Sequence, residues 1–299
     1  MKTKELAALF GLAALWGASF LFIRIASPAI GPVLTIQARV TIAAVALLMY
    51  MLMRGQKTGF KQHWKQYLVI GALNASIPFT LIAIASLSLN ASMLAIMNSL
   101  TPLFTALVLW GWRKEKISMK KWAGIFIGIT GVIILVGWSP IHFTPAVVVA
   151  IVLSILSTIS YGFAGVYAKN AFDRVPPLSV AFGQQMGAAL LLVPFTLFRL
   201  PATTSALTPA VVWSVVGLAV LCTAIGYLLY FYLITSIGPT KTLSVTFMIP
   251  LFGMLWGVLF LNEQITKGMI VGLLVILSSI FLISDIQAQR IVKKAKATS

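Results

Sequence analysis

Glu5, Glu115, Asp173, Glu263 and Asp285, with His63 and His142, are the only acidic and imidazole side chains of this 299-residue chain. Each falls in a loop or at the end of an apolar run. A metal site or acid/base hydrolysis needs several such groups converging on one point, and a proton relay needs one in mid-membrane. No such convergence is legible, so the sequence predicts no catalytic residue, no metal and no cofactor, and a protein that is not an enzyme. Nor is there a Gly-x-Ser-x-Gly elbow for a nucleophile. The single cysteine, Cys222, lies inside an apolar run and cannot build a disulfide framework.

The remaining polar chemistry is largely neutral. Ser19, Asn74, Ser76, Asn98, Ser157, Thr158, Gln184, Gln185, Thr223 and Thr246 lie inside apolar runs, as do Trp16, Phe20, Phe79, Tyr161, Tyr167, Tyr227, Tyr230, Phe231 and Trp256. Hydroxyl residues in membrane helices ordinarily serve close packing, and Trp and Tyr ordinarily belt the interface. The belt suits Trp110, Trp112, Trp138 and Tyr50, which sit at run ends. The amides and the deeper rings fit it less well, because an amide at depth needs a partner or a wet cavity. The expected solute-binding set is Trp16, Ser19, Phe20, Asn74, Phe79, Asn98, Tyr161, Tyr167, Tyr227 and Thr246. Such a lining suits a zwitterionic, neutral or aromatic solute better than a multiply charged one.

The elements that carry these residues are membrane spans. Hydrophobic residues make up 60% of the chain and charged residues 9%, and the mean hydropathy is +1.02; this excludes a soluble domain. Apolar runs long enough to cross a bilayer occur at roughly 6–26, 33–53, 67–87, 92–111, 122–138, 146–168, 178–198, 211–233, 241–261 and 268–284. The first follows Lys2 and Lys4 like a signal peptide, but it is too long and lacks a small-residue cleavage site. With the N-terminus inside, cytoplasmic segments hold 18 of the 22 basic residues; outside are Arg199 and Lys267, with Arg24 and Arg39 near the outer ends of their spans. That bias places both termini in the cytoplasm. It also assigns the net charge of +17 to insertion and anionic head groups rather than to nucleic acid, for which no stacking platform exists.

The spans form two copies. Pro102 and Glu115 recur as Pro250 and Glu263, and Gly124 as Gly272, all at an offset of 148 residues. Earlier in each copy, Trp16-Gly17, Arg24 and Pro32 recur as Tyr161-Gly162, Lys169 and Pro177 at an offset of 145, which sets Arg39 opposite Gln184. The division falls near residue 145, giving repeats 1–145 and 146–299. Five spans per copy is an odd number, so the second copy runs inverted. The predicted fold is an all-α integral membrane protein of ten helices in two inverted five-helix repeats, the mark of a secondary transporter. Gly124-x-x-x-Gly128, Gly253-x-x-x-Gly257 and Gly268-x-x-x-Gly272 are close-packing patterns that serve either the bundle or a dimer face, leaving monomer and homodimer both open. Pro78, Pro102, Pro194 and Pro250 bend their helices.

The start WGASFLFIR, the Pro-to-Glu spacing of both fourth spans and the glycines of both fifth spans resemble the drug/metabolite transporter superfamily, in particular its ten-helix EamA-type members. The resemblance covers residues 5–285. It implies a central cavity walled mainly by the first, third and fourth spans of each half, and small organic solutes, often exported amino acids. The expected function is therefore efflux of an amino-acid-like metabolite by alternating access across a bacterial-type inner membrane. Metabolite uptake, or flipping of a lipid-linked substrate, is the alternative within the class; an integral-membrane enzyme or channel subunit is the alternative outside it. The repeat also predicts gates. Arg24 and Glu263 fall at the outer mouth, Lys169 and Glu115 at the inner, so that each mouth could close on one ion pair.

Overall fold

The computed structural model describes residues 2–139, 144–198 and 206–297, without the side chains of Thr240 and of 284–297. The expectations for His142 and Arg199, and for the side chains of Asp285, Arg290, Lys293, Lys294 and Lys296, lie outside the described residues. Among the described residues all regular structure is helical. Lipid cannot hydrogen-bond a backbone, so each apolar run must satisfy its own N–H and C=O groups.

Ten spans result: α1 (Thr3–Ile30), α2 (Pro32–Met53), α3 (Phe60–Ala85), α4 (Ala91–Arg113), α5 (Met119–Gly137), α6 (Pro145–Ala171), α7 (Pro177–Leu197), α8 (Pro209–Ile237), α9 (Val245–Leu261, after a short turn Pro239–Thr242) and α10 (Lys267–Ala297). Eight are long and apolar enough to cross a membrane by themselves; Val245–Leu261 and Lys267–Ile283 are the two shorter apolar helices. The chain is a multi-pass membrane protein. Most helices run past the apolar stretch by a few residues, because polar flanking residues continue the same backbone hydrogen-bond ladder.

Local sequence fixes the starts. Proline opens α2, α6, α7, α8 and the turn before α9, where its missing N–H costs nothing. Asn90, Ser118, Thr144 and Thr208 cap α4, α5, α6 and α8 by accepting from the N–H of Met93, Lys121, Val147 and Val211. Gly31, at φ 85°, turns the chain from α1 into α2 in one residue.

The packing follows the repeat. α1 lies on α9 as α6 lies on α4, α8 on α1 as α3 on α6, and α2 on α8 as α7 on α3; α2–α7, α4–α9 and α5–α10 are their own counterparts. Nearly every large interface joins one half to the other. Glycines permit the closest of them. A Cβ on Gly131 would lie 2.6 Å from the Ile276 side chain, and one on Gly272 3.0 Å from the Gly131 carbonyl, so the stripes of α5 and α10 are consumed within the chain. A Cβ on Gly17 of α1 would likewise lie 2.8 Å from the backbone nitrogen of Gly253 in α9.

Both third spans widen at equivalent depth. Ala72–Ser76 of α3 and Gly217–Ile225 of α8 are π-helical. A π turn disturbs the regular ladder, and hydroxyls repair it: Ser160 of α6 donates to the Leu73 carbonyl at 2.7 Å, and Thr223 to the Leu218 carbonyl at 2.8 Å. α4 breaks instead. Pro102 has no N–H for the Asn98 carbonyl, and the Thr101 hydroxyl donates to that carbonyl at 2.7 Å.

Candidate solute-binding cavity

The widened and broken turns face a cavity of about 510 Å³ in the middle of the bundle, walled by α1 to α4 and α6 to α9. Trp16, Ser19, Phe20, Asn74, Phe79, Asn98, Tyr161, Tyr227 and Thr246 all line it. Tyr167 does not. It lies six residues further along α6 than Tyr161 and packs edge-on to Phe172, ring centroids 6.3 Å apart, in a cluster with Tyr67. The lining also takes in Tyr230, Phe231, Gln184, Cys222, Ser99 and Thr101.

One wall is aromatic. Trp16 sits 5.4 Å from Tyr230 and 6.3 Å from Tyr227, and Tyr227 stacks on Phe231 at 6.1 Å. Gly226 makes this possible, since a Cβ there would lie 2.7 Å from the Trp16 indole nitrogen. Phe79 meets Tyr161 edge-on at 6.4 Å.

The opposite character comes from Arg39, which the sequence alone places near the outer end of its span. Arg39 is 5% exposed and lines the cavity. It stands two turns inside α2, because α2 begins immediately after the Gly31 turn. Its Nε donates to the Thr223 hydroxyl at 3.0 Å and its guanidinium lies 3.6 Å above the Phe79 ring. The expectation of an uncharged lining is thereby corrected. Among the described residues no carboxylate, imidazole or lysine lines the cavity. The repeat counterpart, Gln184, is 3% exposed; its Oε1 accepts from Asn74 Nδ2 at 2.9 Å. Each second span thus bonds the π-helical segment of the other half's third span.

The two ends of the cavity differ. At the end where α1 and α3 finish, Arg24 donates to the Ser86 carbonyl. There the Glu263 carboxylate accepts from Ala91 N–H at 2.7 Å, Ser92 N–H at 3.0 Å and the Ser92 hydroxyl at 2.6 Å. The expected Arg24–Glu263 ion pair is not formed. Each group takes the opposite pole of a helix end instead: the carboxylate takes free N–H groups opening α4, and the guanidinium takes a free carbonyl closing α3. Local backbone aims Glu263. Asn262 is left-handed at φ 54°, and Glu263 N–H bonds the Gly257 carbonyl at 3.1 Å. Lys114, also φ 54°, and Glu115 N–H to Leu109 repeat this turn at the other end. There Glu115 and Lys169 are exposed, and neither side chain has a hydrogen bond or ion pair among the described residues. The lining runs out toward this second end through Ala168, Phe231 and the half-exposed Leu243.

A duplicated, inverted helical bundle around a central, mainly apolar cavity with a few buried polar groups defines a membrane transporter. The EamA-like transporter family matches the chain twice, over residues 3–137 and 148–285, and the chain belongs to that family. Among curated proteins it is similar to the "Uncharacterized transporter YvbV" of Bacillus subtilis (strain 168), at 27% identity covering 95% of this chain and 92% of that protein. It is similar to the "Uncharacterized inner membrane transporter YedA" of Escherichia coli (strain K12), at 25% identity over 93% and 89% of the two chains. "Protein PecM" of Dickeya dadantii (strain 3937) is 24% identical over 99% and 97%. A crystal structure shares the fold with a TM-score of 0.68 at 18% identity, covering 97% of this chain and 99% of its own.

Proposed function

We propose that the protein is a secondary carrier of the bacterial inner membrane that exports a small amino-acid-like metabolite by alternating access, with both termini in the cytoplasm. The observation that carries this reading is the unequal state of two equivalent ends. Glu263 and Arg24 tie α4 and α3 down at one end, while Glu115 and Lys169 stand exposed at the other. Loop charge puts the open end in the cytoplasm, so the cavity faces inward, ready to load. In the reverse state Glu115 and Lys169 would take up the corresponding helix ends and Glu263 and Arg24 would let go. The pairing within each mouth is therefore between side chain and helix end rather than between side chains.

The family, an inner-membrane relative and a cavity of metabolite size support the carrier. The test is a metabolite profile of cells with and without the protein, followed by flux of the leading solute in proteoliposomes. A folded protein that moves no small metabolite in either direction across those liposomes would end the reading.

A further inference from the structure

Arg39 is a buried cation in a membrane span, and among the described residues no anion faces it. The titratable groups around it are Tyr161, Cys222 and Tyr227. A guanidinium carries five N–H donors. Among the described residues only its Nε has a protein acceptor, so the two Nη groups are unspent. A membrane-buried charge without a counter-ion is costly and marks function. Its repeat counterpart is under-used in a similar way: Gln184 Nε2 is buried and makes no well-formed hydrogen bond, with the Tyr227 hydroxyl as its nearby acceptor. One buried acceptor in the lining is equally unspent, Asn98 Oδ1.

Resting on the carrier reading above, we propose that Arg39 is the anchor for a carboxylate on the solute. Gln184 Nε2 supplies the second donor, Asn98 Oδ1 accepts from the solute's ammonium, and the Trp16–Tyr227–Tyr230 wall takes its side chain. The solute is then a monocarboxylate, most simply a zwitterionic amino acid with an apolar or aromatic side chain. Without solute the guanidinium is parked on the Phe79 face and the Thr223 hydroxyl. The planar fork matches a carboxylate in a way that an ammonium cannot, so lysine would replace it only in part.

The experiment uses the full-length protein in proteoliposomes. The probes are the natural amino acids, their amides and their decarboxylated amines, followed by counterflow with mass-spectrometric detection. The expected result is that acids are carried at least about tenfold better than their amides, a gap set by loss of a charge-assisted hydrogen bond. Arg39→Gln should close that gap, and Arg39→Lys should close it in part. A second measurement needs no variant: peptide-resolved modification of Arg39 by phenylglyoxal should be slowed by the acid that is carried and not by its amide. Acids and amides carried equally, or a gap unchanged in a folded Arg39→Gln, would overturn the anchor and leave the carrier standing. Carriage of amines alone would remove the anchor and the amino-acid solute together. An acid that is carried but does not shield Arg39 would also overturn the anchor.

Discussion

Replacing Glu263 by glutamine should unlatch the outer mouth. The carboxylate collects three hydrogen bonds from Ala91 and Ser92 at 2.6–3.0 Å. Glutamine keeps one acceptor oxygen and turns an NH2 toward a backbone N–H. At least one charge-assisted bond, about 1.5–3 kcal/mol, is lost. The survivors become neutral and about half as strong, and the attraction to the α4 N-terminus, about 0.3–1 kcal/mol, disappears. The site is only half-buried, so we take the low end: about 2 kcal/mol, or about 30-fold in the ratio of outward-open to outward-closed molecules. Ile82, 4% exposed at the sealed end of the cavity, supplies the reporter. In a Cys222→Ala background, Ile82→Cys should react about 30-fold faster with an impermeant maleimide added on the Glu263 side once Glu263→Gln is introduced. A rate within twofold of the parent, in protein that still elutes as a single species, would refute the latch.

Four further outcomes are expected. Gly257→Ala should copy Glu263→Gln in the same labelling assay, because its Cβ would sit 2.5 Å from Glu263 Oε2 and 2.7 Å from the Ser92 hydroxyl, evicting the carboxylate. Gly187→Ala would put a Cβ 2.3 Å from the Tyr67 carbonyl; overpacking of this kind costs about 1–3 kcal/mol or more, visible as a lower unfolding temperature in detergent. Flux of a zwitterionic solute should survive collapse of the pH gradient, since among the described residues no carboxylate or imidazole lines the cavity; uphill flux that requires an imposed proton gradient would contradict this. Ser118→Cys in Cys222→Ala should resist an impermeant thiol reagent in intact cells, and labelling there would invert the assigned topology.

Features written in local or repeated patterns are legible in the residues themselves. Ten apolar runs became ten spans, and the spacing from Pro102 to Glu115 and from Pro250 to Glu263 marked a real unit: a helix closed by a left-handed residue that aims a carboxylate. The carboxylate's partner is not legible, because backbone N–H groups leave no trace in residue types. The place of Arg39 is not legible either, because a lone basic residue eight positions into a span looks the same whether it snorkels or lines a cavity. The usable signal was its register with Gln184, an amide with no reason to be at an interface. Tyr167 was misplaced for the opposite reason: depth along a helix is legible, but the face is not when a helix is apolar all round. The π turns were invisible, as they exist only against the neighbouring spans that repair them.

The repeat is imperfect at one atom that matters. Ala91, whose N–H holds Glu263, has Pro239 as its counterpart at the same offset of 148, and proline has no N–H to offer Glu115. Two identical halves would make a carrier that rests equally on both sides of the membrane. This chain can tie its outer mouth with one charge-assisted hydrogen bond more than its inner mouth. On the topology proposed above, a bond of about 1.5–3 kcal/mol would tilt the resting occupancy toward the cytoplasm by on the order of ten- to a hundredfold. On the export reading proposed above, a carrier that rests facing the cytoplasm loads from the cell interior; the solute gradient sets the net flux, and one imino acid in a turn sets the side on which a nearly symmetric bundle waits.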